Sequence, residues 1–313
     1  MSFRFMEFPY AGDDLRADAL AGLAACPKSI SPKYFYDEAG CRLFEEICRQ
    51  PEYRLCRIEQ ALMKSSLTEI ASAIGAVDCI IEPGAGDCVK VRQLLDALNP
   101  GQLVVMDIAG GALATAAEQL AREYQDVAVT ALGMDFVHDL EAASPHLPPG
   151  RRLVYYPGSS IGNFSPAESV FLLERFKKLA GGNGQLLIGF DMKKEPEQLH
   201  RAYNDAAGIT AAFNLNLLAR LNRDLGADFE LSRFSHHAFY NPVEGRIEMH
   251  LVSLADQSVS VSGQRFHFDL GETLHTENSY KFRCDEFNEI VRSAGWRLSA
   301  EWIIEGFAVQ LFN

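Results

Sequence analysis

The sequence predicts an α/β protein with a largely parallel sheet and a second, α+β lobe. Three observations carry this reading. In the middle third, short apolar runs alternate with helical patterns, the signature of consecutive βα units. One such run, Cys79-Ile80-Ile81, leads directly into the glycine turn Glu82-Pro83-Gly84-Ala85-Gly86-Asp87. From Lys193 the alternation gives way to helices and then to strands. A chain of 313 residues has room for one large or two intimate domains.

Taken in order, residues 1–56 are rich in Phe and Tyr, are broken by SPKYFYDEAG and show no βα alternation, so they are assigned to the second lobe. The first sheet strand is Cys79–Ile81; Val91, Leu94, Leu95 and Leu98 follow it at helical spacing. Further strands are read at 102–108, 127–132, 152–156 and 184–191, and the Pro-rich SPHLPPG at 144–150 is a surface loop. Helices around 198–205 and 209–225 open the inserted lobe, and Arg246 to Leu251 alternates as a strand does. A helix at 286–294 and strands at 301–304 and 308–312 return the chain to the sheet edge as a hairpin. The domains predicted are 57–193 plus 280–313, and 1–56 plus 194–279. No internal repeat is present.

Composition narrows the function. Subtracting 42 acidic from 29 basic residues gives a net charge of −13, a field that repels a phosphate backbone, so nucleic acid is not an expected partner. No apolar stretch approaches the roughly 18–20 residues that span a bilayer, and the N-terminus lacks a basic start followed by an apolar segment. A soluble chain with no membrane partner is expected. The seven cysteines are odd in number, scattered and without CxxC pairs, which fits reduced thiols in the cytoplasm. No HExxH motif occurs; Glu248 and His250, two apart, suit one strand face better than a metal site, and no metal is expected.

Gly84-x-Gly86 alone fits either a tight strand-to-helix turn or a cofactor loop. A dinucleotide fingerprint would need glycine where this chain has Val89, which weakens a nicotinamide oxidoreductase reading. Glu82 and Asp107, the latter 21 residues after Gly86, instead suit a ligand with ribose hydroxyls and an amino-acid portion, the shape of S-adenosylmethionine. Asp135 can accept from an adenine amino group with Phe136 against the ring; it can equally cap the next helix.

Beyond these local readings, SPKYFYDEAGCRLFEEICRQPEY, EPGAGDCVKVRQLLDAL, PGSSIGNFSP, AYNDAAGITAAFNLNLLARLNRDL, GRIEMHL and ENSYKF occur in order. Nearly the whole chain thereby resembles the histidine-specific Nα-methyltransferases of ergothioneine biosynthesis. The resemblance implies a class I, Rossmann-like methyltransferase domain with a substrate-binding lobe, and three S-adenosylmethionine-dependent methylations of the α-amine of L-histidine to give hercynine. It also implies cofactor contacts at Gly84, Lys90, Asp107, Asp135 and Phe136, to which the glycine turn adds Gly86, and histidine contacts at Tyr36, Tyr53, Asn163, Tyr203, Glu277, Asn278 and Ser279. Tyr36 and Asn163 are the residues carried over nearest to the chemistry, Tyr36 being the candidate for proton removal. The family more often has Ser or Thr where this chain has Ala85, Asp87 and Cys88.

Several of these residues also have a reading of their own. Glu277 and Ser279 are two apart, so an extended segment turns both to one face, where a carboxylate and a hydroxyl can read the two nitrogens of an imidazole; a solvated strand end has the same spacing. Asn163 follows Gly162 just after the fourth strand, at the sheet end where open α/β folds bind ligands, although Gly-Asn is also an ordinary turn pair. Taken singly, Tyr36, Tyr53 and Tyr203 read as packing residues, and Met249 as core. Two rivals remain: the same scaffold acting on another amino acid or amine, and a non-catalytic S-adenosylmethionine-binding regulator.

Overall fold

The structure, a computed structural model, describes residues 2–8 and 15–313. The chain begins β1 (Phe3–Glu7), α1 (Leu15–Ala24), β2 (Lys28–Ser29), α2 (Glu38–Arg49) and α3 (Leu55–Ile74). The βα series follows as β3 (Cys79–Pro83), α4 (Arg92–Leu98), β4 (Gln102–Asp107), α5 (Gly110–Glu123), β5 (Ala128–Gly133), α6 (Leu140–Ala143), β6 (Arg152–Tyr156), α7 (Pro166–Ala180) and β7 (Gln185–Asp191). Next come α8 (Pro196–Ala202), α9 (Ile209–Leu225), β8 (Phe234–Asn241), β9 (Arg246–Ser253), β10 (Gln257–Val261), β11 (Gln264–Phe268) and β12 (Thr273–Tyr280). The chain closes with α10 (Cys284–Ser293), β13 (Leu298–Ile304) and β14 (Phe307–Phe312). No helix among the described residues is long and apolar enough to cross a membrane.

These elements form two compact units, one of 2–8, Arg57–Met192 and Phe282–Asn313, the other of 15–56 and Lys193–Lys281. The first is built on an eight-stranded sheet in the order β1-β5-β4-β3-β6-β7-β14-β13. Strands β1 to β7 in it are parallel, and the β13–β14 hairpin adds antiparallel at the β7 edge. Every residue of β3 and of β7 is buried, which is why these strands read as unbroken apolar runs rather than as an alternation. The chain runs outward from β3 to β4 and β5 on one side, then crosses back to β6 on the other side of β3. This reversal of strand order opens a crevice beyond the carboxyl end of β3, where ligands of such sheets sit. It is the largely parallel α/β sheet that the sequence predicts.

One part of the domain assignment is corrected. Residues 1–56 do not all belong to the second lobe, because β1 pairs in parallel with β5, from Phe3 opposite Val129 to Glu7 opposite Gly133. A Cβ at Gly133 would come within 3.1 Å of the Gly110 backbone and one at Gly110 within 3.1 Å of the Glu7 carboxylate, so the two glycines let β1 close against the sheet. Residues 1 and 9–14 of that assignment lie outside the described residues. Lys193, Tyr280 and Lys281 group with the second unit.

The second unit carries a four-stranded sheet in the order β2-β12-β9-β8 and the separate β10–β11 hairpin. Helix α9 is tied to one face: Asn214 donates to the His250 carbonyl oxygen at 3.0 Å and accepts from Thr276 Oγ1 at 2.8 Å. A register shift between His275 and Glu277 sets the alternation of β12 thereafter, with Glu277 opposite Met249, Asn278 opposite Glu248 and Ser279 opposite Ile247.

Candidate functional site

In the first unit the predicted cofactor residues gather at the carboxyl ends of β3, β4 and β5. Gly84 and Gly86 have φ of +69° and +53°, conformations that disfavour any side chain, and around the Cβ position of Gly86 there is open space. The turn is pinned to β4 by the Gly84 and Ala85 amides, which donate to the Met106 carbonyl oxygen at 2.7 and 3.0 Å. Asp107 adds a side-chain clamp, accepting from Gly86 N at one oxygen and from Ala109 N at the other, both at 2.9 Å. Burial raises the Asp107 carboxyl above its ordinary pKa, and these backbone donors oppose the rise. Backbone donors from Gly86, Ala109 and Ile108 still leave lone-pair capacity on the carboxylate for a further donor.

Phe136 lies over Gly84, whose Cβ would meet its ring at 3.6 Å, and packs edge-on to Tyr156 at 6.2 Å. Asp135 does not cap the next helix, whose N-cap is Asp139; its side chain closes the turn that precedes that helix. It accepts from Val137 N at 2.9 Å and His138 N at 3.2 Å, and its other oxygen meets His138 Nδ1 at 2.8 Å. Lys90 is paired with Glu59, Nζ to Oε2 at 2.7 Å, and Glu59 Oε1 accepts from Gly158 N at 2.6 Å. Glu59 therefore joins the residues after the glycine turn to the loop after β6. Sequence reading missed it, since an acid within an amphipathic helix carries no distinguishing signal. Asn163 ends a 3-10 turn, Ser160–Asn163, on that same β6 loop.

Glu82 is 1 % exposed, and its Oε2 has no hydrogen-bond partner among the described residues. Burial holds its carboxyl well above the ordinary range, with Lys90 pulling the other way. An orphaned buried oxygen, an open positive-φ glycine and a carboxylate with spare lone pairs together suit a ligand bearing an amino group and hydroxyls. S-adenosylmethionine fits this donor and acceptor set.

The second unit gathers a different set. Tyr53 and Tyr203 meet edge-to-face with centroids 6.0 Å apart. Tyr203 Oη lies 2.7 Å from Ser279 Oγ. Lys281 Nζ donates to both, at 3.0 Å to Tyr203 and 2.8 Å to Ser279. Glu277 shares the strand face of Ser279; burial pushes its carboxyl up to about 7, with the Lys281 ammonium opposing the rise. Burial likewise raises the Tyr53 phenol well above its usual value, Tyr203 adding to the rise. Met249, left in the core by its sequence pattern, directly opposes Glu277, and Lys281 has no sequence signal because a lysine in SYKF reads as solvated.

Two predicted substrate residues stand apart from that cluster. Strand alternation turns Asn278 to the other face, opposite Glu248 and beside His275, so the structure does not bring it together with Glu277 and Ser279. Tyr36 sits in an aromatic group with Phe44 and Phe213, each 5.9 Å from its ring centroid. On the Asn278 face, Glu248, His250 and His275 bring ligand-type atoms within 4.8 Å of one another. The His250 and His275 rings stack at 4.6 Å and 16°, so their in-plane lone pairs run side by side rather than converging. Arg246 already holds Glu248, Nε to Oε1 at 2.9 Å. This arrangement favours an ion-pair and stacking cluster over a metal centre.

Comparison with known proteins adds what geometry alone does not. Residues 15–312 match the family described as "Histidine-specific methyltransferase, SAM-dependent". A histidine N-alpha-methyltransferase of Mycolicibacterium smegmatis is 41% identical over 298 residues, covering 93% of this chain and 92% of the relative. One of the same name from Mycobacterium tuberculosis is 39% identical, covering 93% and 91%. Ergothioneine biosynthesis protein 1 of Neurospora crassa is 29% identical over 88% of this chain and 32% of its own length. With a family match across nearly its full length and close relatives covered almost end to end, the chain belongs to the histidine-specific, S-adenosylmethionine-dependent methyltransferase family.

Proposed function

We propose that this protein transfers methyl groups from S-adenosylmethionine to the α-amine of L-histidine, three in succession, giving hercynine for ergothioneine biosynthesis. The single observation that carries the reading is the family match over residues 15–312. The pairing of Glu277 and Ser279 on one strand face supports it, because a carboxylate and a hydroxyl complement the two imidazole nitrogens.

Gly84, Gly86, Asp107 and Phe136 are assigned to the cofactor, with Lys90 and Asp135 organising the loops around it and the orphaned Glu82 oxygen facing its amino group. The bound cofactor supplies a methyl group already activated on a sulfonium. What remains for the chain is to hold the amine, align it and exclude water. Glu277, Ser279, Tyr203 and Tyr53 are assigned to the substrate, and Asn163 is assigned a substrate contact on the family resemblance alone. A dry site disfavours the ammonium form of the substrate amine, so desolvation does much of the deprotonation. The Tyr36 hydroxyl is assigned to passing that proton on. All seven cysteines are free thiols, in keeping with a cytoplasmic setting.

Mass spectrometry of L-histidine incubated with the protein and S-adenosylmethionine tests the reading. A product gaining three methyl groups on the α-nitrogen is expected. Unchanged histidine alongside a methylated tryptophan or other amine overturns the substrate; cofactor binding without turnover of any amine overturns the enzyme.

A further inference from the structure

The residues assigned to ring recognition stand on a buried lysine. Lys281 is 1 % exposed, and its ammonium contacts Ser279 Oγ at 2.8 Å and Tyr203 Oη at 3.0 Å. The two hydroxyl oxygens are themselves 2.7 Å apart. An ammonium has three hydrogens and no lone pair, so Lys281 is the donor in both contacts. One lone pair on each hydroxyl is thereby filled. The contact between the hydroxyls takes one more hydrogen, given by one oxygen to the other. Burial raises the Tyr203 phenol above its ordinary value near 10 and the adjacent ammonium opposes the rise, but a phenol remains a far stronger acid than an aliphatic alcohol. Tyr203 therefore donates and Ser279 accepts. Both lone pairs of Ser279 Oγ are then occupied, and its own O–H is what it can offer a ligand.

We propose that Lys281 is a positioning residue that makes Ser279 an obligate hydrogen-bond donor, so that the site selects a neutral imidazole in one tautomer. The bare ring nitrogen then meets Ser279, and the ring N–H meets the Glu277 carboxylate. Burial raises the Glu277 carboxyl, and the same ammonium opposes that rise, so Lys281 acts on both reading groups. A ring with an N–H but no acceptor nitrogen, such as pyrrole or indole, leaves the Ser279 hydrogen facing carbon and forfeits a buried hydrogen bond. This inference rests on the histidine reading above.

The test is steady-state kinetics on the full-length protein with L-histidine and with its pyrrole isostere, in which a ring C–H replaces the acceptor nitrogen. Native protein should show a KM for the isostere at least about tenfold above that for histidine, the equivalent of one lost hydrogen bond. Lys281→Met should bring the two KM values within about threefold of each other while kcat changes less than KM, since Ser279 can then turn its lone pair outward. Lys281→Arg, which keeps the donors, should preserve the native ratio. A general packing defect would raise both KM values together and leave their ratio alone. Equal KM values in the native protein, or a native ratio in Lys281→Met, overturn the proposal. If Lys281→Met does not fold, Tyr203→Phe decides, because it removes the other hydrogen donated to Ser279 and frees a lone pair: a fall in the ratio supports the proposal and a native ratio refutes it. Native protein that does not methylate histidine at all would instead refute the function proposed above.

Discussion

At the scale of the residue, Glu277 couples recognition to stability. Burial pushes its carboxyl up to about 7 in the folded protein, whereas an unperturbed glutamic acid titrates near 4.3. Between those values the native state binds the proton more tightly than the unfolded chain does. The stability this group contributes is therefore complete below about pH 4 and is lost as pH rises through 7. Glu277→Gln removes that loss. Its melting temperature should exceed the native one by several degrees at pH 8, with the gap narrowing toward pH 5. Histidine turnover should fall at every pH, because the amide is a weaker acceptor. A gap that is constant with pH in thermal melts would show that Glu277 does not titrate as its surroundings imply. The alternation that puts Glu277 and Ser279 on one face was legible in the sequence, and so was the separation of Asn278, had strand spacing been given more weight than motif position. Lys281 was not legible: its burial depends on hydroxyl partners, one of which, Tyr203, is 78 residues away.

At the scale of the element, the loops after β3, β4 and β6 act as connected parts. Asp107 both clamps the glycine turn through Gly86 and starts the β4–α5 connection through Ala109. Asp107→Ala frees those two amides and removes the acceptor assigned to the ribose hydroxyls. Affinity for S-adenosylhomocysteine should drop by about 10- to 100-fold, since hydrogen bonds to a charged group are worth about 1.5–3 kcal/mol. Calorimetry checks this, and an unchanged Kd in a folded variant would remove Asp107 from the cofactor site. Strands β3, β4, β6 and β7 were readable within a residue or two, because burial on both faces leaves an apolar run that composition alone reveals. The Glu59 bridge was not, because what defines it is contact with Gly158, 99 residues further along the chain.

At the scale of the whole molecule, both units are assembled from segments distant in sequence, and the least legible of these is β1. Phe3 to Glu7 is a five-residue stretch of mixed polarity whose partner, β5, lies more than 120 residues on, so no local pattern marks it as part of the parallel sheet. Its contribution follows from where it lies. It covers the outer edge of β5, and Phe5 fills the space that Gly110 and Gly133 leave open. Gly110 begins α5, three residues after Asp107, so β1 supports the connection that carries the cofactor carboxylate. Removing residues 1–8 would expose β5 as an unpaired edge and uncover apolar surface at the start of α5. Such a chain should melt about 3–8 °C lower than the full one, for a loss of about 1–3 kcal/mol at 2–4 °C each, and should aggregate more readily on heating. Its affinity for S-adenosylhomocysteine should weaken as well, because the support beneath the Asp107 turn is gone, while variants in the Glu277 strand should leave that affinity untouched. Thermal melts and cofactor titrations on the same truncated protein separate the two effects. A native melting temperature would show that β1 is dispensable to the sheet, and a lowered one with native cofactor affinity would confine its role to closing the edge.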